Sequence, residues 1–139
     1  MRGKKFLILA LLMIIIVALG MALYWYNKPH VDVKKSDAAY VLTAQNLIYE
    51  YQQNETKSNE KFAENVVQVN GKVFEISTLK GNCVITLKDE NLESGIICHM
   101  IPEENRKALK LNKGQDIEIK GICTGYLLDV IMVRCTLVE

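Results

Sequence analysis

The chain has 139 residues, a formal net charge of +1 and 50% hydrophobic residues. That length bounds it to one modest domain and excludes a repeat array, a large α/β barrel or a multidomain enzyme. The apolar residues are uneven. Residues 1–26 hold 21 of them, and residues 27–139 have the composition of an ordinary soluble domain.

Phe6 to Tyr26 is a run of 21 residues, 20 of them apolar and none charged. A helix rising ~1.5 Å per residue crosses a ~30 Å hydrocarbon core in ~20 residues. Arg2, Lys4 and Lys5 precede the run, which places the N-terminus in the cytoplasm. Tyr24, Trp25 and Tyr26 follow at the far interface. The run exceeds the ~7–15 residues of a signal-peptide core. Ala18-x-Gly20 keeps a cleaved signal peptide as the alternative. Residues 1–26 are therefore expected to be a single-pass anchor in a bacterial cell membrane, with an extracytoplasmic, periplasmic-type domain behind it. No cysteine lies near the leader's end, which excludes a lipidated N-terminal cysteine.

Residues 27–35 form a polar linker with Pro29. Ser36 and Asp37 are an N-cap and a first-turn acid. Val41, Ala44, Ile48 and Tyr51 then recur at helical spacing, widened by Leu47. This predicts an amphipathic helix from about Asp37 to Asn54, continued with a weak point toward Phe62. The whole helical segment, 36–65, is expected to pack on the domain that follows.

From Val66 the period changes to two. Asn70-Gly71 reads as a hairpin turn or as a bulge within one long strand. Cys83, Ile85 and Leu87 mark the next strand, and Ile96, Cys98 and Met100 the one after. Pro102 to Leu111 reads as a short helix with Glu103 and Glu104 in its first turn, closed by Lys113-Gly114. Ile117 and Ile119 open another strand. Gly121, Gly125 and Asp129 mark a connection, and Val130 to Val138 is the last strand. Three strands, a helix and two strands over residues 66–139 is the layout of an OB-fold. The predicted fold is thus mainly β: a five-stranded OB-fold barrel, preceded by a transmembrane helix and an amphipathic helix. Closure favours one long first strand, bent by a bulge at Gly71.

Three features carry a family resemblance: the helix with Tyr51, Asn54 and Glu55; V-x-V-x-G-K-V at Val67–Val73; and K-G-I-C-T-G-Y-L-L-D-V-I-M-V-R-C-T-L at Lys120–Leu137. The most specific is Gly121-x-Cys123-x-Gly125 through Asp129-Val130 to Cys135. This pattern resembles the tRNA_anti-like family of OB-fold proteins, which includes exported bacterial lipoproteins. The sequence departs from it by lacking a lipobox cysteine and by adding Cys83.

Cys83, Cys98, Cys123 and Cys135 are spaced by 15, 25 and 12 residues, with no C-x-x-C. That suits structural thiols or disulfides, not a metal site. Alternation turns all four inward. A tight hairpin around Gly125 sets Cys135 opposite Ile117, away from Cys123. Strand three lies beside strand five in an OB barrel, so Cys98–Cys135 is the preferred pair, with four buried thiols as the alternative.

Nucleic-acid affinity rests on basic residues and stacking aromatics. Residues 27–139 carry 14 basic and 16 acidic residues, and 66–139 carry 9 and 10. Phe74 and Tyr126 are the only aromatics in 66–139. Ser77, Ser94 and Thr124 have no histidine partner, and His99 faces away from Cys98, so no nucleophile is assembled. Glu103 and Glu104 are first-turn charges. No enzyme activity, metal or cofactor is expected. The sequence predicts a membrane-anchored OB-fold binding module for a protein, peptide or glycan of the envelope. Tyr126, Thr124 and Lys120 are its candidate contacts, with Tyr126 placed in the loop between strands four and five. The alternatives are an oligonucleotide-binding module and an assembly subunit whose amphipathic helix packs on a partner.

Overall fold

A computed structural model describes residues 1–139 throughout. It divides into two compact units, Met1–Val31 and Asp32–Glu139. The first is the helix α1, Arg2–Tyr26, long and apolar enough to cross a membrane. Its 25 residues rise about 37 Å. None of its side chains is buried.

The second unit begins with a departure from the predicted helix. Tyr40–Thr43 is a short strand, β1, paired in parallel with residues 67–70. Tyr40-Val41-Leu42-Thr43 is an aromatic and β-branched run that suits a pleated edge. Ser36 therefore caps nothing; its hydroxyl donates to the Asp32 carbonyl at 2.8 Å. The helix α2, Ala44–Gln53, starts instead from Thr43, whose hydroxyl accepts from Asn46 N at 3.2 Å. Ala44, Leu47, Ile48 and Tyr51 are its buried face, whereas Val41 is exposed. Asn54 breaks the run and caps α3, Glu55–Phe62, accepting from Lys57 N at 3.0 Å. Phe62 is fully buried, the last apolar anchor of this segment.

Five strands close the barrel: β2 (Val66–Leu79), β3 (Asn82–Leu87), β4 (Ile96–Met100), β5 (Asp116–Leu127) and β6 (Asp129–Leu137). Their order is β2-β3-β4-β6-β5, and β5 pairs back onto β2. β1 adds a sixth strand outside the closed ring. The single-strand reading of 66–79 holds. Residues 66–72 pair with β5 and residues 73–79 with β3, so one strand serves both halves of the barrel. The register shift falls at Phe74, three residues beyond the predicted bulge. Gly71 has another role. A Cβ there would lie 2.9 Å from Ala44 Cβ and 3.3 Å from Leu87 Cβ, so glycine is what lets α2 sit against the strand.

A 3₁₀ turn, Pro102–Glu104, leads into α4, Asn105–Ala108, and Gly114 at φ +83 ends the connection. α4 lies between β4 and β5, the OB position. The alternating residues Val67, Val69, Ile85, Leu87, Ile96, Ile119, Val130 and Met132 fill the interior. Each buried aliphatic side chain contributes about 1.5–3 kcal/mol by leaving water.

The predicted turn at Gly125 is corrected. The hairpin turns at Leu128, with Leu127 opposite Asp129 and Cys123 opposite Met132. Cys135 then meets Gly121 and not Ile117; a Cβ on Gly121 would lie 2.5 Å from Cys135 Sγ.

Candidate functional site

The β5–β6 hairpin organises one end of the barrel. Tyr126 is not in a loop but in β5, half-buried, its ring stacked on Tyr51 at 5.6 Å and 18°. Tyr51 in turn packs on Phe62 at 6.0 Å, and Phe62 on Tyr40 at 5.0 Å, edge to face. These four rings fix α2, α3 and β1 to the barrel. The Tyr126 hydroxyl shares a hydrogen bond with Ser94 Oγ at 3.2 Å. The Thr124 hydroxyl donates across the hairpin to Ile131 O at 3.1 Å. Both side chains stand at this end of the barrel, each with an internal partner.

Lys120 stands apart from them. Its ammonium donates to the carbonyls of Ser36 at 2.8 Å and Lys34 at 3.3 Å. Lys34 donates to Glu104 Oε1 at 3.1 Å, and Val33 is buried. Lys120 thus holds residues 33–36, where the chain joins the barrel. Along β5 it lies four residues from Thr124 and six from Tyr126, about 13 and 20 Å at strand rise. The three predicted contacts therefore do not form one cluster.

The four cysteines are fully buried free thiols. Cys123 Sγ lies 3.3 Å from the Tyr51 hydroxyl. Burial pushes the Cys83, Cys123 and Cys135 thiols up, and Cys135 is raised further by hydrogen bonding to Cys98. Burial, then the thiol neighbour, pushes the Tyr51 phenol well above its ordinary range. These groups stay neutral at physiological pH, which makes them packing atoms and not nucleophiles. No cluster of three His, Cys, Asp or Glu side chains is placed to hold a metal ion.

The exposed feature of this end is one the sequence reading passed over. Leu127 and Leu128 form the hairpin tip, 77% and 80% exposed. Leu128 has φ 66, a left-handed conformation that costs about 1–2 kcal/mol for a residue with a Cβ. Asp129 secures the tip to the loop before β4: its carboxylate accepts from Gly95 N at 2.7 Å, and Val130 N donates to Gly95 O at 3.0 Å. That loop bears Asp89, Glu90 and Glu93, all exposed and in no ion pair. The signal was present in the sequence. Two adjacent leucines occupy a turn between alternating strands, where polar turn residues belong.

The architecture has a family. A model of the tRNA_anti-like family matches residues 1–137. The chain belongs to the tRNA_anti-like family. Among solved structures, this tRNA_anti-like chain is similar to a "putative nucleic acid-binding lipoprotein" of Klebsiella pneumoniae. That likeness has 15% identity and a TM-score of 0.60, and covers 81% of this chain and 100% of that one. It is also similar to a "putative aspartyl-tRNA synthetase" of Leishmania major, at 8% identity and a TM-score of 0.50, over 80% of this chain and 23% of that one. At these identities the likeness is one of fold. No curated protein matches the chain.

Proposed function

We propose that the protein is a membrane-anchored, extracytoplasmic OB-fold module that binds a protein partner through the Leu127–Leu128 tip. The carrying observation is that pair of leucines, held in water and partly in a strained conformation. Strained backbone and exposed apolar side chains concentrate where a partner covers them. The chemistry favours a protein over a glycan. The ring of Tyr126 is already stacked and its hydroxyl engaged, so no free aromatic platform is left for a sugar. The acidic loop beside the tip disfavours a polyanion at the same place. Residues 1–26 act as the anchor, residues 27–35 as the tether and residues 36–139 as the binding body.

The test is a photo-crosslinking residue at position 128 in intact cells. A discrete protein adduct that disappears with Leu127→Ser supports the reading. An adduct unchanged by Leu127→Ser, or none at all, overturns it.

One observation favours an oligonucleotide instead. Phe74 is 43% exposed, with Lys88 Nζ 5.3 Å from its ring centroid. An exposed aromatic under a cation can stack a base, and the Klebsiella lipoprotein's description points the same way. Salt-sensitive binding of a single-stranded oligonucleotide, lost with Phe74→Ala, would select this reading.

A further inference from the structure

The opposite end of the barrel carries another surface. The turn between β2 and β3 is clamped by Asn105 at the start of α4. The Asn105 side chain accepts from Cys83 N at 2.8 Å and donates to Gly81 O at 3.1 Å. Leu109 N bonds Asn105 O at 3.0 Å, so Leu109 follows Asn105 by one helical turn. Leu79 on the clamped turn and Leu109 are 54% and 56% exposed. Lys80, Arg106 and Lys110 are exposed beside them, and none is in an ion pair. The exposed acids nearby are Glu103 and Glu139, and Glu139 is neutralised by its ion pair with Lys107. Arg106 in α4 and Lys110 in the turn that follows it are both exposed cations of this segment. The chain joins the barrel at this end, where Lys34 meets Glu104, the residue before Asn105. Six residues, 27–32, lie between α1 and the held residues 33–36.

We infer that this end of the barrel rests on anionic phospholipid headgroups. Lys80, Arg106 and Lys110 lie among the phosphates, and Leu79 and Leu109 reach the acyl boundary. Cations interleaved with exposed leucines are the composition of an interfacial surface. No exposed aromatic is offered here for base stacking, and the tether keeps this end within reach of lipid. The inference rests on residues 1–26 being retained as an anchor.

The experiment uses the full chain in nanodiscs of phosphatidylcholine, with or without phosphatidylglycerol. Amide hydrogen exchange is read at residues 79–82 and 105–111. Phosphatidylglycerol is expected to slow exchange there, and high salt to restore it. Each cation near an anionic surface contributes about a fivefold effect, so Arg106→Gln with Lys110→Gln lowers the protection about 25-fold. Both side chains are exposed, so the fold survives the change. Equal exchange in both lipids overturns the inference. So does protection by a single-stranded oligonucleotide with no response to phosphatidylglycerol, which assigns the surface to nucleic acid. Failure to co-elute with the discs at all overturns the anchor reading itself, a separate result.

Discussion

The two ends of the barrel are built to different rules. At the tether end, polar groups are consumed: Lys120 by two carbonyls, Lys34 by Glu104, Asn105 by the backbone of the β2–β3 turn. The unpaired charges left exposed there are mostly cationic, Lys80, Arg106 and Lys110 against Glu103. At the hairpin end, an aromatic stack makes a rigid base beneath two leucines and unpaired carboxylates. A closed barrel has no sheet edge within its ring through which to recruit partners. Contact must then come from what caps and loops display, and here the two caps display opposite charge. One small fold thus presents two differently composed caps through its loops alone.

The comparison breaks most severely if the aromatic base is removed. Phe62→Ala deletes the ring that joins Tyr40 and Tyr51, and is expected to cost about 3–5 kcal/mol. Urea unfolding measures it. If the ends are separate, exchange at the β2–β3 turn responds only through global unfolding, while α3 opens locally. The thiols between the two ends provide the next test. A Cys98–Cys135 disulfide, formed by exchange with the disulfide of an exported oxidant that is thereby reduced to its dithiol, would add about 2–4 kcal/mol. Alkylation with mass analysis, before and after reduction, decides it. Two alkyl groups fewer before reduction supports the bridge, and four in both cases sinks it. If the thiols stay free, their upward shifts set an alkaline limit. Stability is fully present below the ordinary thiol value of 9.0 and falls as pH rises above it, because the unfolded chain releases those protons first. A denaturation midpoint that is flat through pH 9 and above contradicts that core.

The tether end gives a smaller effect. Glu104 is 2% exposed, and its second oxygen has no partner. Lys34→Ala leaves the buried carboxylate alone, at a cost of about 1–3 kcal/mol. Glu104→Gln in the same chain should recover most of it. Simple additivity of the two changes in a double-mutant cycle would show that the pair is not coupled.

How much of this was legible in the sequence depends on the range of the interaction. Strand alternation is local and reads directly, whereas the cap assigned to Ser36 belongs to Thr43 and Asn54. Tyr40–Thr43 did not read directly. Val41 falls in helical phase with Ala44 and Ile48, and only pairing with residues 67–70 makes it a strand. Gly71 misled for a different reason: local rules see a turn or bulge former, whereas the structure uses its missing Cβ against Ala44. The hairpin turn moved from Gly125 to Leu128 because register is set by β5 and β6 along their whole length, including two irregularities that no local pattern announces. That shift is also why the candidate site moved. Tyr126 was singled out as the aromatic near the turn, but the turn lies beyond it, and the ring faces inward onto Tyr51.

The smallest effect is the most discriminating. Leu128 pays nothing into the core and sits at φ 66. Glycine adopts that conformation freely, so Leu128→Gly should stabilise the fold by up to about 1 kcal/mol, after the entropy glycine loses on folding is offset. Glu64, Lys80 and Arg134 also hold positive φ, and Leu128 is the apolar residue among them. Retaining leucine there makes sense if its side chain is used. Thermal unfolding should therefore rise with Leu128→Gly while partner crosslinking from position 127 falls at least tenfold, the loss typical of an apolar anchor. Higher stability with undiminished crosslinking would reduce the tip to a tolerated defect, and the contrast between the two ends would then rest on charge alone.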